Sequence, residues 1–555
     1  MPAVPLRLGS SEREGLASHR RGNDAAPRGP VRDNVKRPCS LGFRPHESTP
    51  NRTVTLRLRD TLTRAVLPVE PLEAGRVRMY SCGPTVYRYA HVGNLRTFLL
   101  ADLIRRALLY HGIDVRHVQN ITDVGHMRAD DTGREVDPML MAAGLEGRSS
   151  REIAEAYEAA FHADTALLNL LPAQEYPRAT EHIPDMLALI EQLIGLGHAY
   201  LTPEGNVYYA VATFPGYGAL SGNSLDELRA GHRGEVEPDK HDPADFALWK
   251  AAGEGRELRW PSPWGEGFPG WHIECSAMAL RHLGPRFDIH TGGEDNVFPH
   301  HEDEIAQSAP IVGGPPARLW VHGAHLLMSG RKMSKSAGNF QRITELVEAG
   351  VDPLAFRYLC LTARYARKLN LSDASLAGAA GGLASLRAEL AGLGTAPANG
   401  PWTPPPAVRA DDSPALADRA HAPAAPLSRR GSDLHERFAA AIDDDLDTPI
   451  ALRIARETLR AQLPEDERRW LVLDMDFVLG LDLDRAIPSA APAEPGSSAF
   501  REALPEGAAE LLAARTAARA KHDWPAADRL RDELRALGVE VVDLPDGTSE
   551  ARALA

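Results

Sequence analysis

The chain has 555 residues, 43% of them hydrophobic and 25% charged, with a formal net charge of −14. That length predicts more than one domain, and the composition excludes the fibrous, membrane-embedded and wholly disordered classes. The negative balance excludes a protein that coats nucleic acid indiscriminately, while leaving room for a local basic face.

Cys39, Cys82, Cys275 and Cys360 lie far apart without a CxxC pair, so no disulfide framework is expected. No apolar run approaches the roughly 20 residues of a membrane-spanning helix, and charges occupy the place of a signal peptide's apolar region. The expectation is a cytoplasmic protein with no membrane partner.

Residues 1 to about 50, rich in Arg, Pro, Gly and Ser, read as a flexible extension. Apolar runs at Val77 to Tyr80 and Val115 to Ile121 then bracket a helical pattern from Leu95 to Tyr110, closed by Gly112. This strand, helix, strand unit predicts a right-handed crossover in a parallel sheet, with ligands beyond the carboxyl ends of the strands. Ile183 to Leu196 reads as a helix within a turn-rich insertion, and Val207 to Val211 as a strand in it. Phe287 to His290 and Leu319 to Met328 return to the sheet, and Leu434 to Leu463 and Ala508 to Leu537 have helical periodicity.

Two short motifs carry chemistry. Ser81-Cys82-Gly83-Pro84-Thr85-Val86-Tyr87 is followed by His91-Val92-Gly93-Asn94 at the start of the first helix. A helix N-terminus offers N–H groups to phosphates, Gly93 permits close backbone approach, and His91 and Asn94 can donate hydrogen bonds. Alone, the tetrapeptide is better read as an ordinary helix start. Arg331-Lys332-Met333-Ser334-Lys335-Ser336, after Gly330, places two ammonium groups on a loop where they could stabilise the charge of nucleotidyl transfer. Alone, it reads at least as well as an exposed basic turn.

Together they reproduce the signature pair of class I aminoacyl-tRNA synthetases. The blocks Met79 to Arg96, Asn120 to Val124, Pro177 to Ile183, Asp242 to Lys250, Trp260 to Met278, Phe298 to Ser308 and Lys332 to Asn339 resemble the cysteinyl-tRNA synthetase family. The resemblance implies an α/β fold: a Rossmann-like, doubly wound parallel-sheet catalytic domain over residues 51–345, with an insertion at about 148–262. Helical domains should follow: a stem-contact region at 346–392, a Pro/Ala-rich linker at 393–432, a helical domain at 433–487, a linker at 488–498 and an anticodon-binding domain at 499–555.

The same resemblance implies one Zn2+ held by Cys82, Cys275, His300 and Glu304. The residues agree chemically: His300 and Glu304 are four apart, and with Pro299 in the first helical turn they share a face while His301 points elsewhere. Such a mixed site can accept a substrate thiolate, which separates cysteine from serine better than an apolar pocket could, so no editing domain is needed. Also implied are an amino-acid pocket lined by Gly83, Thr122, Trp271 and His300, and ATP contacts from His91, Gly93, Asn94, Gly293, Asp295 and Lys335, with Mg2+. His91, Asn94, Lys332 and Lys335 would be the catalytic group. The partners would be ATP, L-cysteine and tRNA(Cys), and the enzyme a monomer.

At the C-terminal end, Arg515, Arg519, Lys521, Arg529, Arg531 and Arg535 form a basic helical stretch, with Trp524 available to stack on a base. Lys521 to Gly538 and Pro545 to Thr548 resemble the family's anticodon-binding end, where Arg519, Trp524, Asp528 and Asp543 are the candidate contacts. The run Asp443-Asp444-Asp445 to Thr448-Pro449 resembles the family's helical region and is expected to be structural. Two departures stand out. Val124 is followed by Gly125-His126-Met127, where many members have two acidic residues and a lysine, and Gly267-Phe268-Pro269 lacks a frequent basic residue. Two other readings remain at this point: a ligase joining cysteine to an amino-sugar, which would lack an anticodon-reading end, and a zinc-stabilised RNA-binding protein, which would not need the catalytic group.

Overall fold

The computed structural model describes residues 54–125, 128–129, 135–224, 239–253, 256–328, 330–332, 341–394, 425–485, 511, 514–515, 518, 524–537, 539–543 and 549–553. Residues 1–50, most of the two expected linkers, Lys335 and Arg519 lie outside them.

The chain begins with an antiparallel pair, β1 (Arg57–Arg59) and β2 (Val66–Pro68). The predicted unit follows as β3 (Arg76–Ser81), α1 (Val92–Tyr110) and β4 (Asp114–Gln119), with β3 and β4 parallel. Alternation along β3 divides the molecule: Val77 and Met79 belong to the core that contains α1, and Tyr80 faces a second core.

Short strands β5 (Arg128–Ala129) and β6 (Glu135–Val136) lead to α2 (Pro138–Glu146), α3 (Ser150–Leu167) and α4 (Ile183–Gly195). Asp137 caps α2 ahead of Pro138, and Ser149 with Glu152 forms a capping box on α3. The insertion then builds its own antiparallel sheet from β7 (Ala199–Leu201), β8 (Val207–Tyr209), β9 (Phe246–Ala251) and β10 (Gly267–Pro269), in the order β10-β9-β8-β7.

Next come α5 (Trp271–Leu283), β11 (Phe287–Gly293), α6 (Glu302–Val312) and β12 (Ala317–Gly323). They complete a four-stranded parallel sheet of order β12-β11-β3-β4. α1 packs with the core on one side of β3, and α5 with the core on the other.

β13 (Leu326–Met328) and β14 (Arg331–Lys332) precede α7 (Ile343–Glu348), α8 (Pro353–Leu361), β15 (Leu369–Leu371) and α9 (Asp373–Ala391). The helical part continues with α10 (Arg429–Asp443), α11 (Thr448–Leu459) and α12 (Glu465–Leu479). Last come α13 (Trp524–Ala536) and the antiparallel pair β16 (Val539–Asp543) and β17 (Ser549–Ala553). No helix among the described residues is long and apolar enough to cross a membrane.

The pattern read as helical from Leu434 to Leu463 is two helices, not one. Asp445 and Leu446 adopt positive φ values of 56° and 52° between them. Asp445 Oδ1 accepts from the Arg59 backbone at 2.8 Å and from the Tyr365 hydroxyl, while Asp447 caps α11 through Ile450 N. The acidic run ends one helix, binds β1 and starts the next. Hydrophobic periodicity cannot reveal such a break, because both halves bury the same kind of face.

A buried ionic network joins the catalytic sheet to these helices. Asp102 on α1 lies 2.9 Å from Arg106 Nε and 2.6 Å from Arg357 Nη2 on α8. Arg106 donates to the carbonyls of Asn169 and Phe477, both at 2.8 Å, and Arg357 Nε donates to Leu479 O at 2.7 Å. Burial pushes the Asp102 carboxyl up, but the two guanidinium groups more than offset this and hold it below its ordinary value.

His117 on β4 is also buried, with Nε2 2.7 Å from Ser81 Oγ. Burial, aided by Arg105, lowers its pKa from 6.5 to about 3. The folded form therefore resists a proton that the unfolded chain accepts, so this group's contribution is intact above pH 6.5 and is lost as pH falls toward 3. A His117→Gln variant is expected to lose less stability than the parent between pH 7 and pH 5 in denaturant titrations. Equal losses would show that His117 does not govern this limb.

Candidate active site and metal-ligand cluster

The site lies where the topology predicts it, beyond the carboxyl ends of β3, β4 and β11. Cys82 follows β3, and its N–H donates to Thr291 O on β11 at 3.3 Å. Gly83 N donates to Asn120 Oδ1 at 2.8 Å, and Asn120 Nδ2 donates to Thr122 Oγ1 at 3.0 Å, so the ends of β3 and β4 are bound together. A Cβ on Gly83 would stand 1.6 Å from Asn120 O, a contact with backbone that cannot yield. Gly83→Ala is thus expected to cost at least about 2–3 kcal/mol of stability and to displace Cys82, observable as a lowered unfolding midpoint with reduced bound metal. An unchanged midpoint would show that the two strand ends can separate freely.

Four donors converge there. Cys82, Cys275 on α5, His300 and Glu304 on α6 are all buried, with ligand atoms within 4.8 Å of one another. His300 Nε2 is 3.1 Å from Glu304 Oε1, and Cys82 Sγ is 3.8 Å from the same oxygen. The four residues expected as ligands are thus brought together.

His300 differs from expectation in its local setting, because it belongs to a π-helical turn, Val297–His301, rather than to the α-helix, which begins at Glu302. The reading that His301 points elsewhere is corrected by the same turn. His301 Nε2 reaches Cys82 Sγ at 3.1 Å, and Cys82, His290, His301 and Glu304 form a second convergent set. Four further histidines therefore surround the cluster: His290 is 2.9 Å from Glu304 Oε2, His322 is 2.7 Å from His301, and His272 is 2.7 Å from His300. They come from four separate segments, so no spacing in the sequence announces them.

The donors fit a cation. Tyr217 donates to Asp303 at 2.5 Å, and the other Asp303 oxygen lies 3.2 Å from His272 Nε2. With Asp303 ionised, His272 accepts at Nδ1 from His300 Nδ1–H, and the His300 Nε2 lone pair then faces the Glu304 carboxylate. Burial pushes the Asp303 carboxyl well up, with Glu302 and Glu304 adding to it. Burial likewise raises the Cys82 thiol, reinforced by Cys275. At Cys275 a hydrogen bond from Cys82 pulls the pKa down, but burial and Glu304 outweigh it. Two sulfurs, a ring nitrogen and a carboxylate suit a borderline-soft divalent ion, which would deprotonate both thiols.

Trp271 opens α5, half-buried, its ring centroid 4.4 Å from that of His300. Thr122 is paired by backbone to Pro84 and Val86, opposite the start of the first motif. These positions border the metal-ligand cluster.

His91 is the N-cap of α1: its Nδ1 accepts from Asn94 N at 3.0 Å, and Asn94 Oδ1 accepts from His91 N at 3.3 Å. This capping box fixes the neutral ring with its proton on Nε2 and leaves the Asn94 amide hydrogens as donors. Gly93 carries no side chain because a Cβ there would meet the His91 ring at 2.9 Å. Gly293 ends β11, and a Cβ on it would stand 2.4 Å from Asp295 Oδ1, so this turn too keeps its backbone open. Val92 N donates to Gln341 O at 2.9 Å, which ties the start of α1 to the residue following the basic loop. Lys332 lies in β14, paired with β13, and Lys335 is outside the described residues.

At the C-terminal end Trp524 is 52% exposed. Asp528 lies 2.9 Å from Arg531, and Asp543 ends β16 opposite Ser549. Arg515, expected on the basic face, is 1% exposed and so is not part of it. The helical periodicity that gave it a surface position does not distinguish a guanidinium on the outer face from one turned inward.

Comparison with known proteins places these features together. Residues 68–381 match the family described as tRNA synthetases class I (C) catalytic domain, and residues 501–548 match the cysteinyl-tRNA ligase anticodon binding domain. The chain is 40% identical over 532 residues to a cysteine–tRNA ligase of Salinibacter ruber, covering 90% of this chain and 98% of that one. It is 42% identical over 495 residues to cysteine–tRNA ligase 1 of Burkholderia lata, covering 89% and 96%. With a cysteine–tRNA ligase of Thermus thermophilus it shares 42% identity over 501 residues, covering 89% and 98%. The catalytic-domain match and relatives of about 40% identity that span nine-tenths of the sequence establish that the chain belongs to the cysteine–tRNA ligase family of class I aminoacyl-tRNA synthetases.

Proposed function

We propose that this enzyme activates L-cysteine with ATP to cysteinyl adenylate and transfers the cysteinyl group to the 3′ end of tRNA(Cys). The observation that carries the reading is the convergence of Cys82, Cys275, His300 and Glu304. Zinc held by these four supplies a position that takes a thiolate in preference to the serine hydroxyl. Trp271 and His300 form one wall of the cysteine pocket, and Gly83 and Thr122 the other.

The α1 N-terminus, with His91 Nε2–H and the Asn94 amide, binds ATP phosphates, and Gly93, Gly293 and Asp295 leave room for the nucleotide. Lys332 and Lys335 neutralise charge on the phosphates alongside Mg2+, so that the cysteine carboxylate can attack the α-phosphorus and expel pyrophosphate. The ribose hydroxyl of tRNA then attacks the activated carbonyl. No protein nucleophile is needed, and the residues act by positioning and charge stabilisation. Trp524, Arg519, Asp528 and Asp543 are assigned to the anticodon, and the enzyme to the cytoplasm as a monomer. The anticodon-domain match over residues 501–548 disfavours the amino-sugar ligase.

Pyrophosphate exchange with cysteine and with serine, followed by charging of tRNA(Cys), tests the reading. Exchange should respond to cysteine and not serine, and charging should follow; exchange without charging would return the amino-sugar ligase. Loss of the imidazole in His91→Ala is expected to slow exchange by about 10²–10³-fold, with cysteine affinity little changed. A rate within a few-fold of the parent would remove His91 from the phosphate site.

A further inference from the structure

The two departures from the family pattern, at Gly125 and at Phe268, meet in space on one side chain. Arg256, in the segment between β9 and β10, is 6% exposed at its side chain and pairs with Asp137, which is 2% exposed. Its Nη1 donates to Asp137 Oδ2 at 2.8 Å, its Nη2 to Gly125 O at 2.5 Å and its Nε to Leu258 O at 2.9 Å. The guanidinium lies 3.4 Å from the centroid of the Phe268 ring, the geometry of a cation–π contact. A Cβ on Gly125 would stand 2.1 Å from Asp137 Oδ2, so the Asp137 carboxylate occupies the space where a side chain on residue 125 would begin. Asp137 is fixed in turn, because its Oδ1 accepts from Met139 N at 2.9 Å as the cap of α2.

These contacts fall close to both walls of the cysteine pocket. Gly125 is three positions after Thr122, and Phe268 is three positions before Trp271. Gly270, between them, is fitted against the β9 backbone, where its Cβ would stand 2.0 Å from Ala247 O. One guanidinium thus holds the segment leaving Thr122 and the strand entering Trp271 at a single separation.

We propose that Arg256 is a positioning residue that sets the spacing of the two pocket walls. The proposal rests on the assignment of Thr122 and Trp271 to the cysteine pocket. Arg256 touches neither substrate nor metal; it acts through the backbone of Gly125 and the ring of Phe268.

The test uses the full-length enzyme and pyrophosphate exchange, with Km for cysteine and for ATP measured separately. Arg256→Ala should raise Km for cysteine by about ten- to a hundredfold, while Km for ATP stays within twofold and bound metal stays at the parent's level. Guanidinium ion at low millimolar concentration should restore part of the loss, which a general destabilisation would not allow. Arg256→Lys, which keeps the charge but not the fork that reaches Gly125 O, Asp137 and Leu258 O together, should raise Km for cysteine by a smaller factor. An unchanged Km for cysteine overturns the proposal, as does an equal rise in both Km values without guanidinium rescue. Should Arg256→Ala alone fail to fold, Arg256→Lys decides: a rise in Km for cysteine alone supports the proposal, and parent values for both substrates overturn it. Thr122→Val and Trp271→Ala, measured alongside, test the pocket assignment itself, so that its failure is distinguishable from failure of Arg256.

Discussion

Cys275→Ala is expected to lose bound metal and to lower the cysteine-dependent exchange rate, expressed as kcat/KM, by about 10³-fold or more, equivalent to roughly 4 kcal/mol of transition-state stabilisation. The four donors come from three separate segments and lie within 4.8 Å of each other, so removing one sulfur leaves a set too small and too hard for a borderline-soft ion. Preference for cysteine over serine should fall with it, because the remaining pocket would judge the two only by size. Cys360→Ala is the matched control. Its thiol is buried in the other core, where burial pushes it up to about 12, and its loss should leave metal content and exchange unaltered. Full activity with a stoichiometric metal ion in Cys275→Ala would remove that cysteine from the ligand set.

Asp102→Ala should destabilise the protein by about 3–5 kcal/mol. The substitution leaves Arg106 and Arg357, both 0% exposed, as two cations in the core without the carboxylate that neutralises them. It also strips Leu171 N of its acceptor at 2.8 Å. Arg357→Met in the same chain should return part of the loss, since it removes one of the stranded charges, and such non-additivity distinguishes a charge effect from a simple cavity. Denaturant unfolding of the full-length protein measures both. A cost below about 1 kcal/mol would mean that water reaches the site and that the network contributes little.

Much of this architecture can be read from residue patterns. The strand, helix, strand unit from Val77 to Ile121 appears as expected, because its strands place Val77, Met79, Val115 and Val118 in the cores and its helix has a clear turn signal at Gly112. The four converging donors are accessible through the family blocks, since each sits beside other characteristic residues. His290, His301, His272 and His322 are not, because single histidines on different strands and helices carry no spacing. Arg256 was hidden for a similar reason: its partners, Gly125, Asp137 and Phe268, lie between 12 and 131 positions away, and only folding brings them together. The break at Asp445 and the inward turn of Arg515 show the other limit, that periodicity reports a face but not what that face meets.

The span of the buried network also bears on how the enzyme is made. Arg106 is translated early, yet its bond to Phe477 O closes a separation of 371 residues. At about 5–20 residues per second, roughly 20 to 70 seconds pass between the two during synthesis. Through that interval the nascent sheet carries polar groups whose partners do not yet exist, and α1 keeps uncovered the apolar surface that α12 will occupy. A product truncated before α12 never escapes this condition and stays exposed to chaperones and proteases. The ribosome must therefore nearly finish the chain before the first helix of its catalytic sheet can settle.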